Sequence, residues 1–146
     1  MSASLFIRQF ILAEDYNTVC DLWEKAGPGI QLRRSDSQDE IAKKLQRDAD
    51  LFLVAECNGE IIGSVLGGYD GRRGMVYHLA VAREYRNRGV GTALMDTLEI
   101  RLRAKGCLRY YLLVTKDNSE AREFYEKYGW KQLDLFVYGK DLDIQE

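Results

Sequence analysis

The sequence predicts an α/β protein (α+β in stricter usage), with a mixed, mostly antiparallel central sheet of about six to seven strands flanked by about four helices. Three observations carry that expectation. Residues 51–81 are apolar stretches divided by two glycine turns, Asn58-Gly59 and the segment 68–74, the pattern of an antiparallel meander. The hydrophobic period then lengthens to that of a helix over residues 92–105, with Leu94, Met95, Leu98 and Leu102 on one side. Strand, helix and strand in succession from Met75 to Thr115 need a crossover, which implies one parallel pairing in the sheet.

Taken in order, residues 5–8 read as a first strand, and residues 14–26 as a helix with Val19, Leu22, Trp23 and Ala26 on one face. Gly27-Pro28-Gly29 ends that helix. Ser35 or Ser37 caps a second one, in which Ile41 and Leu45 form an apolar stripe beside Lys44 and Asp48. Residues 51–57 form a buried strand, Asn58-Gly59 a tight turn, and residues 60–69 and 75–81 the next two strands. Gly106 suits the left-handed exit of the helix over 92–105. Residues 110–115 then read as a strand, 119–128 as a helix closed by Gly129, and 130–133 with 135–140 as a last strand pair. No repeat or linker interrupts this order, so residues 1–146 make one domain.

Composition excludes several classes. With 46% hydrophobic and 30% charged residues the chain is globular rather than disordered. A formal net charge of −2 gives no overall attraction to nucleic acid or to anionic lipid. Cys20, Cys57 and Cys107 are odd in number and widely spaced, so they read as small core or edge residues, and with a single histidine no metal site is expected. Neither a signal peptide nor a membrane-spanning run is visible, and a cytoplasmic setting is expected.

The segment Arg86-Asn87-Arg88-Gly89-Val90-Gly91-Thr92 carries the chemistry. It lies between a strand and a helix, where first-turn N–H groups lack intrahelical partners and sit at the positive helix end. Two glycines permit turn angles and a close backbone approach to a bulky anion, making a nest suited to a pyrophosphate. Arg86 and Arg88 add charge for phosphate oxygens. A dinucleotide fingerprint would place its third glycine where Leu94 stands, and the Gly-Lys-Ser/Thr of a P-loop is absent. A plain glycine turn with surface arginines is the alternative for the pattern taken alone.

Over nearly its whole length, and most sharply over residues 77–130, the chain resembles the GNAT superfamily of acetyl-CoA-dependent N-acetyltransferases. Arg86, Gly89 and Gly91 match that family's central motif. Leu79, Ala80 and Val81 look like the end of its fourth strand, whose backbone bonds the pantetheine arm and polarises the thioester. Residues 113–118, Ala121, Phe124, Tyr125 and Tyr128-Gly129-Trp130 look like its fifth strand, next helix and aromatic exit. The likeness is nearest to the bacterial ribosomal-protein alanine acetyltransferases. It implies acetyl-CoA bound by Leu79, Ala80, Val81, Arg86, Asn87, Arg88, Gly89, Val90, Gly91, Thr92 and Asn118, with Tyr125 protonating the departing thiolate. A phenol near pKa ~10 and a thiol near ~8.5 make that transfer plausible. Asn118 also fits a helix cap, and Tyr125 also fits an apolar stripe with Ala121, Phe124 and Tyr128.

The base is where the chain departs from that subgroup, which has a glutamate where Leu113 stands. Tyr77 lies on the strand-four face where other branches carry a base, although a phenol is a poor one. His78 has a suitable pKa, but strand alternation aims it away from Tyr77 and Leu79. Asp70 and Glu56 could act through water, or the amine could lose its proton to solvent. Arg33-Arg34, in the loop that borders the family's acceptor groove, reads as a solvated basic loop or as a selector of acidic acceptors. The expected function is direct acetyl transfer from acetyl-CoA to an amine of a small molecule or a peptide. The alternative is a catalytically silent acyl-CoA-binding sensor, which Leu113 keeps open. The last strands, at a sheet edge, offer a second copy of the chain a place to pair.

Overall fold

The chain between residues 51 and 81 pairs with itself because two turns reverse it. A computed structural model describes residues 4–27, 30 and 32–142. In it Asn58 and Gly59 take φ of +54° and +77° and close the hairpin between β2 (Phe52–Cys57) and β3 (Glu60–Tyr69). The carboxylate of Asp70 accepts the backbone N–H groups of Arg72 and Arg73, both at 2.7 Å, and shapes the turn into β4 (Gly74–Val81). On the other side of β2, the strand β1 (Leu5–Gln9) runs antiparallel to it. A fifth strand, β5 (Tyr110–Leu112), pairs in parallel with β4, as a crossover requires. The sheet order is β1-β2-β3-β4-β5.

Both faces of the central strands β2 and β3 are covered, which is why they are apolar without alternation. On one face Leu53, Ala55, Val65 and Val76 pack on Leu94, Met95, Leu98 and Leu102 of α3 (Val90–Ala104). On the other, Phe52, Val54, Leu66 and Ala80 meet Val19 and Trp23 of α1 (Leu12–Lys25) and Ile41 of α2 (Gln38–Asp48). Each fully buried large side chain contributes roughly 1.5–3 kcal/mol. A cap such as Ser37, whose Oγ accepts the Glu40 N–H at 3.3 Å, is worth about 1 kcal/mol. The layers therefore hold the fold, and the caps set where helices begin.

Four α-helices form among the described residues, the last being α4 (Ser119–Lys127). Among the described residues five strands form, where the sequence predicts six to seven. The expected pair over 130–133 and 135–140 is absent: Leu135, Phe136, Val137 and Tyr138 are 61–91% exposed and the sheet ends at β5. Apolar content marks a strand only where a sheet edge receives it, and β5 offers three residues rather than the expected six. Gly27, at φ +112°, turns the chain out of α1, while the rest of the expected terminator, Pro28 and Gly29, lies outside the described residues. No described helix is long and apolar enough to cross a membrane.

Candidate active site

The site begins where two strands part. β4 and β5 stay paired only as far as Val76 and Leu112. Beyond that point Leu79, Ala80 and Val81 on one side and Leu113, Val114 and Thr115 on the other line a cavity of about 650 Å³. Strand geometry decides which backbone groups face it. Ala82 donates its N–H to Ile62 of β3 at 2.8 Å, so Ala80, two residues before, also turns its N–H and C=O towards β3. Leu79 and Val81 present theirs to the opening. The Val81 carbonyl, on that side, accepts Arg86 Nε at 3.1 Å. Of the three expected backbone partners, two are therefore available and Ala80 is turned away.

The glycine turn forms the next wall. Asn87 and Gly89 take φ of +61° and +83°, and Gly89 is the N-cap of α3. The first bond of the helix runs from Ala93 N–H to Gly89 C=O at 3.0 Å. The amides of Val90, Gly91 and Thr92 precede that ladder, at the positive end of the helix dipole and in the cavity wall. The two glycines serve different ends. Gly89 supplies the left-handed backbone, whereas a Cβ on Gly91 would lie 3.2 Å from Phe124 Cζ, so Gly91 lets α4 close against the turn.

The arginines depart from expectation. The Arg86 guanidinium donates to Val81 C=O and, at 2.7 Å, to Ala26 C=O at the end of α1, with Glu120 of α4 at 3.7 Å. It fastens the turn to two other elements instead of standing ready for a phosphate. Arg88 lies 5.8 Å over the Tyr85 ring and is not part of the cavity wall.

Helix α4 supplies the far wall. Asn118 caps it, its Oδ1 accepting the Ala121 N–H at 3.1 Å. Tyr125 packs edge-on against Phe124 and Trp130, with ring centroids 5.2 and 5.8 Å away. Its hydroxyl has no hydrogen-bond partner among the described residues, and burial pushes its pKa up to about 12. That sharpens the expected role. A phenol raised that far is a weaker acid, so what it offers an anion in the cavity is a hydrogen bond rather than its proton.

The candidate bases are sorted by one irregularity. Leu66 of β3 faces His78 and Gly67 faces Val76, so Tyr77 is an extra residue, a β-bulge. The expected alternation therefore fails there. Tyr77 and His78 both lie on the α1/α2 face, Tyr77 beside Lys44 at 5.9 Å and His78 against Trp23 at 4.7 Å. Only Leu79 points to the α3 side. His78 Nε2 lies 3.0 Å from Asp36 Oδ1 and is not in the cavity wall; Tyr77 is. Asp36 is buried. Desolvation opposes its charge, yet the bonds from His78 and from the Arg33 N–H outweigh it and hold the carboxyl below its usual range. Asp36 carries no motif, and only its three-dimensional partner reveals it. Glu56 pairs with Arg8 at 2.8 Å, and the turn amides hold Asp70 below the usual carboxylate range. Neither lines the cavity, and no described group of three or more His, Cys, Asp or Glu could hold a metal.

A strand wedge, a glycine turn at a helix N-terminus and a buried phenol line one cavity. Residues 16–130 match the acetyltransferase (GNAT) family. An acetyltransferase of Pectobacterium atrosepticum is 44% identical over 129 residues, covering 88% of this chain and 90% of that one. Among solved structures, Ard1 of Thermoplasma volcanium is 28% identical with a TM-score of 0.75, covering 86% of this chain and 81% of that one. The PaiA N-acetyltransferase of Thermoplasma acidophilum, in complex with coenzyme A, aligns at 23% identity with a TM-score of 0.78, covering 91% and 93%. The chain belongs to the acetyltransferase (GNAT) family. Its reaction class is transfer of an acetyl group from acetyl-CoA to an amine.

Proposed function

We propose that acetyl-CoA lies along the cavity with its pyrophosphate on the amides of Val90, Gly91 and Thr92 and its thioester between β4 and Tyr125. The observation that carries this reading is the continuity of one cavity from the first turn of α3 to Tyr125. The acceptor amine attacks the thioester carbonyl. The N–H of Leu79 or Val81, turned into the wedge, stabilises the oxyanion, and the Tyr125 hydroxyl hydrogen-bonds the departing sulfur. With Leu113 62% exposed beyond β5 and unable to take a proton, the amine gives up its proton to water. This separates the acceptor chemistry from that of the ribosomal-protein alanine subgroup.

The test is calorimetry with acetyl-CoA, ATP and NAD, followed by detection of free thiol with a panel of amines. Acetyl-CoA alone is expected to bind, and thiol release is expected to depend on the amine. Binding of ATP or NAD in its place would overturn the assignment of the turn, and binding without thiol release from any amine would favour a silent sensor.

A further inference from the structure

Helices α1 and α2 leave part of their sheet face uncovered. Tyr77 is 54% exposed there, and Tyr111, opposite Met75 in register, lies on the same face because Gly74 and Tyr110 turn towards α3. Each of the two rings carries a cation: Lys44 Nζ at 5.9 Å from Tyr77, and the Arg109 guanidinium at 5.3 Å from Tyr111. Arg73 Nε donates to the Tyr111 hydroxyl at 3.3 Å. Arg47, held on the Tyr69 carbonyl at 3.0 and 3.1 Å, and the exposed Arg72, in the turn before β4, add two more cations.

The carboxylates within this arc are already engaged. Asp48 is buried and takes Lys44 at 2.8 Å, the Tyr69 N–H at 3.2 Å and Arg47 at 3.7 Å. Asp70 is held by its two turn amides. Five cationic side chains against two carboxylates thus form a strongly positive patch on a chain of net charge −2. The patch is continuous with the cavity through Tyr77, which belongs to both.

We propose that the acceptor is an acidic peptide whose amine enters beside Tyr77 and Leu113 while its carboxylates lie across Lys44, Arg73 and Arg109. The inference rests on the acetyl-transfer reading above and adds the class of acceptor. From β3, where Lys44 Nζ lies over Gly68, across β4 to the start of β5 the patch spans about two strand spacings, roughly 10 Å, which suits several peptide residues rather than one amino acid. Polycationic amines are repelled by it. The same cations favour the neutral form of an arriving amine, which eases loss of its proton where Leu113 replaces a carboxylate.

Three peptides sharing an N-terminal alanine test this, followed at positions two to five by Asp/Glu, by the isosteric Asn/Gln, or by Arg. Thiol release is measured with spermidine as a fourth amine, and acetyl-CoA affinity separately by calorimetry. The acidic peptide is expected to exceed its amide isostere by about tenfold in kcat/KM, with the Arg peptide and spermidine slowest. The advantage is expected to shrink to about twofold near 0.5 M NaCl, where the Debye length falls to about 4 Å. Arg73→Gln with Arg109→Gln is expected to raise KM for the acidic peptide while acetyl-CoA affinity stays at the wild-type value. Equal rates for the acidic and amide peptides, or a preference for spermidine or the Arg peptide, overturn the proposal. Acetyl-CoA binding with no peptide acetylated also overturns it and leaves the donor assignment standing, whereas failure to bind acetyl-CoA overturns the donor assignment itself.

Discussion

The two ends of the cavity are built in opposite ways. At the proposed donor end six residues of one short stretch, Arg86, Asn87, Gly89, Val90, Gly91 and Thr92, line the wall, and their conformation is set by a left-handed Asn87 and Gly89 before a helix. At the proposed acceptor end Tyr77 of β4 links the cavity to side chains of α2 and of the chain around β5, and a bulge brings Tyr77 to Lys44. One end is a local backbone structure; the other is an assembly of side chains. Local backbone geometry is disrupted by a single residue, whereas an assembly is altered by degrees, and the following substitutions test that difference from the largest effect downward.

Gly89→Val forces a β-branched residue into φ +83° and displaces the amides that follow. Acetyl-CoA affinity is expected to fall at least about a hundredfold, on the order of 3 kcal/mol, by calorimetry. Gly106→Val is the control, because φ there is +91° at the opposite end of α3. It imposes similar backbone strain and is expected to leave the affinity intact. Equal losses from both variants would show that stability, not the turn, was being read.

Tyr125→Phe is next. Turnover is expected to drop about a hundredfold with acetyl-CoA affinity within about twofold, because the role proposed for the hydroxyl is exerted only as charge develops on sulfur. The pH profile sharpens the point. A pKa pushed up to about 12 keeps the phenol protonated well above neutrality, so raising the pH should increase turnover as the amine loses its proton. The loss of the Tyr125 donor comes only as pH passes through about 12. A downturn near pH 10, ordinary for an exposed phenol, would remove burial from the account.

What the sequence reveals follows the same division. The turn, the caps at Ser37 and Asn118 and the hairpin at Asn58-Gly59 are legible because each depends on residues within a few positions of one another. The common face of Tyr77 and His78 is not, because alternation holds until a bulge interrupts it and no residue type announces this bulge. The role of Asp36 is equally hidden, since its partner His78 is 42 positions away. Leu135 to Tyr138 looks like a strand by composition, yet sheet membership depends on an edge elsewhere in the chain.

Arg86 lies within the glycine turn, and its substitution separates a fastening from a phosphate ligand. Arg86→Gln loses the charged bonds to Ala26 and Val81. Stability is expected to fall by about 1–3 kcal/mol in chemical denaturation, with acetyl-CoA affinity reduced less than about fivefold. If affinity instead collapses while stability is unchanged, the guanidinium leaves its carbonyls to hold phosphate and the fastening is incidental.

The smallest effect concerns Asn118, whose one side chain has two ends. Its Oδ1 caps α4 on the Ala121 N–H, and the residue also lines the cavity, where its amide NH₂ is the group that could reach the substrate arm. Asn118→Ala is expected to cost about 1 kcal/mol of stability through the lost cap. Asn118→Ser separates the two functions, because serine caps about as well as asparagine but carries no NH₂ and no charge. If capping is the whole role, serine restores both thermal stability and acetyl-CoA affinity to near the wild-type values. If the NH₂ also holds the substrate, serine restores stability and leaves affinity at the alanine level. The second outcome is the one expected, because it makes Asn118 a residue that the local sequence explains by half and the cavity completes.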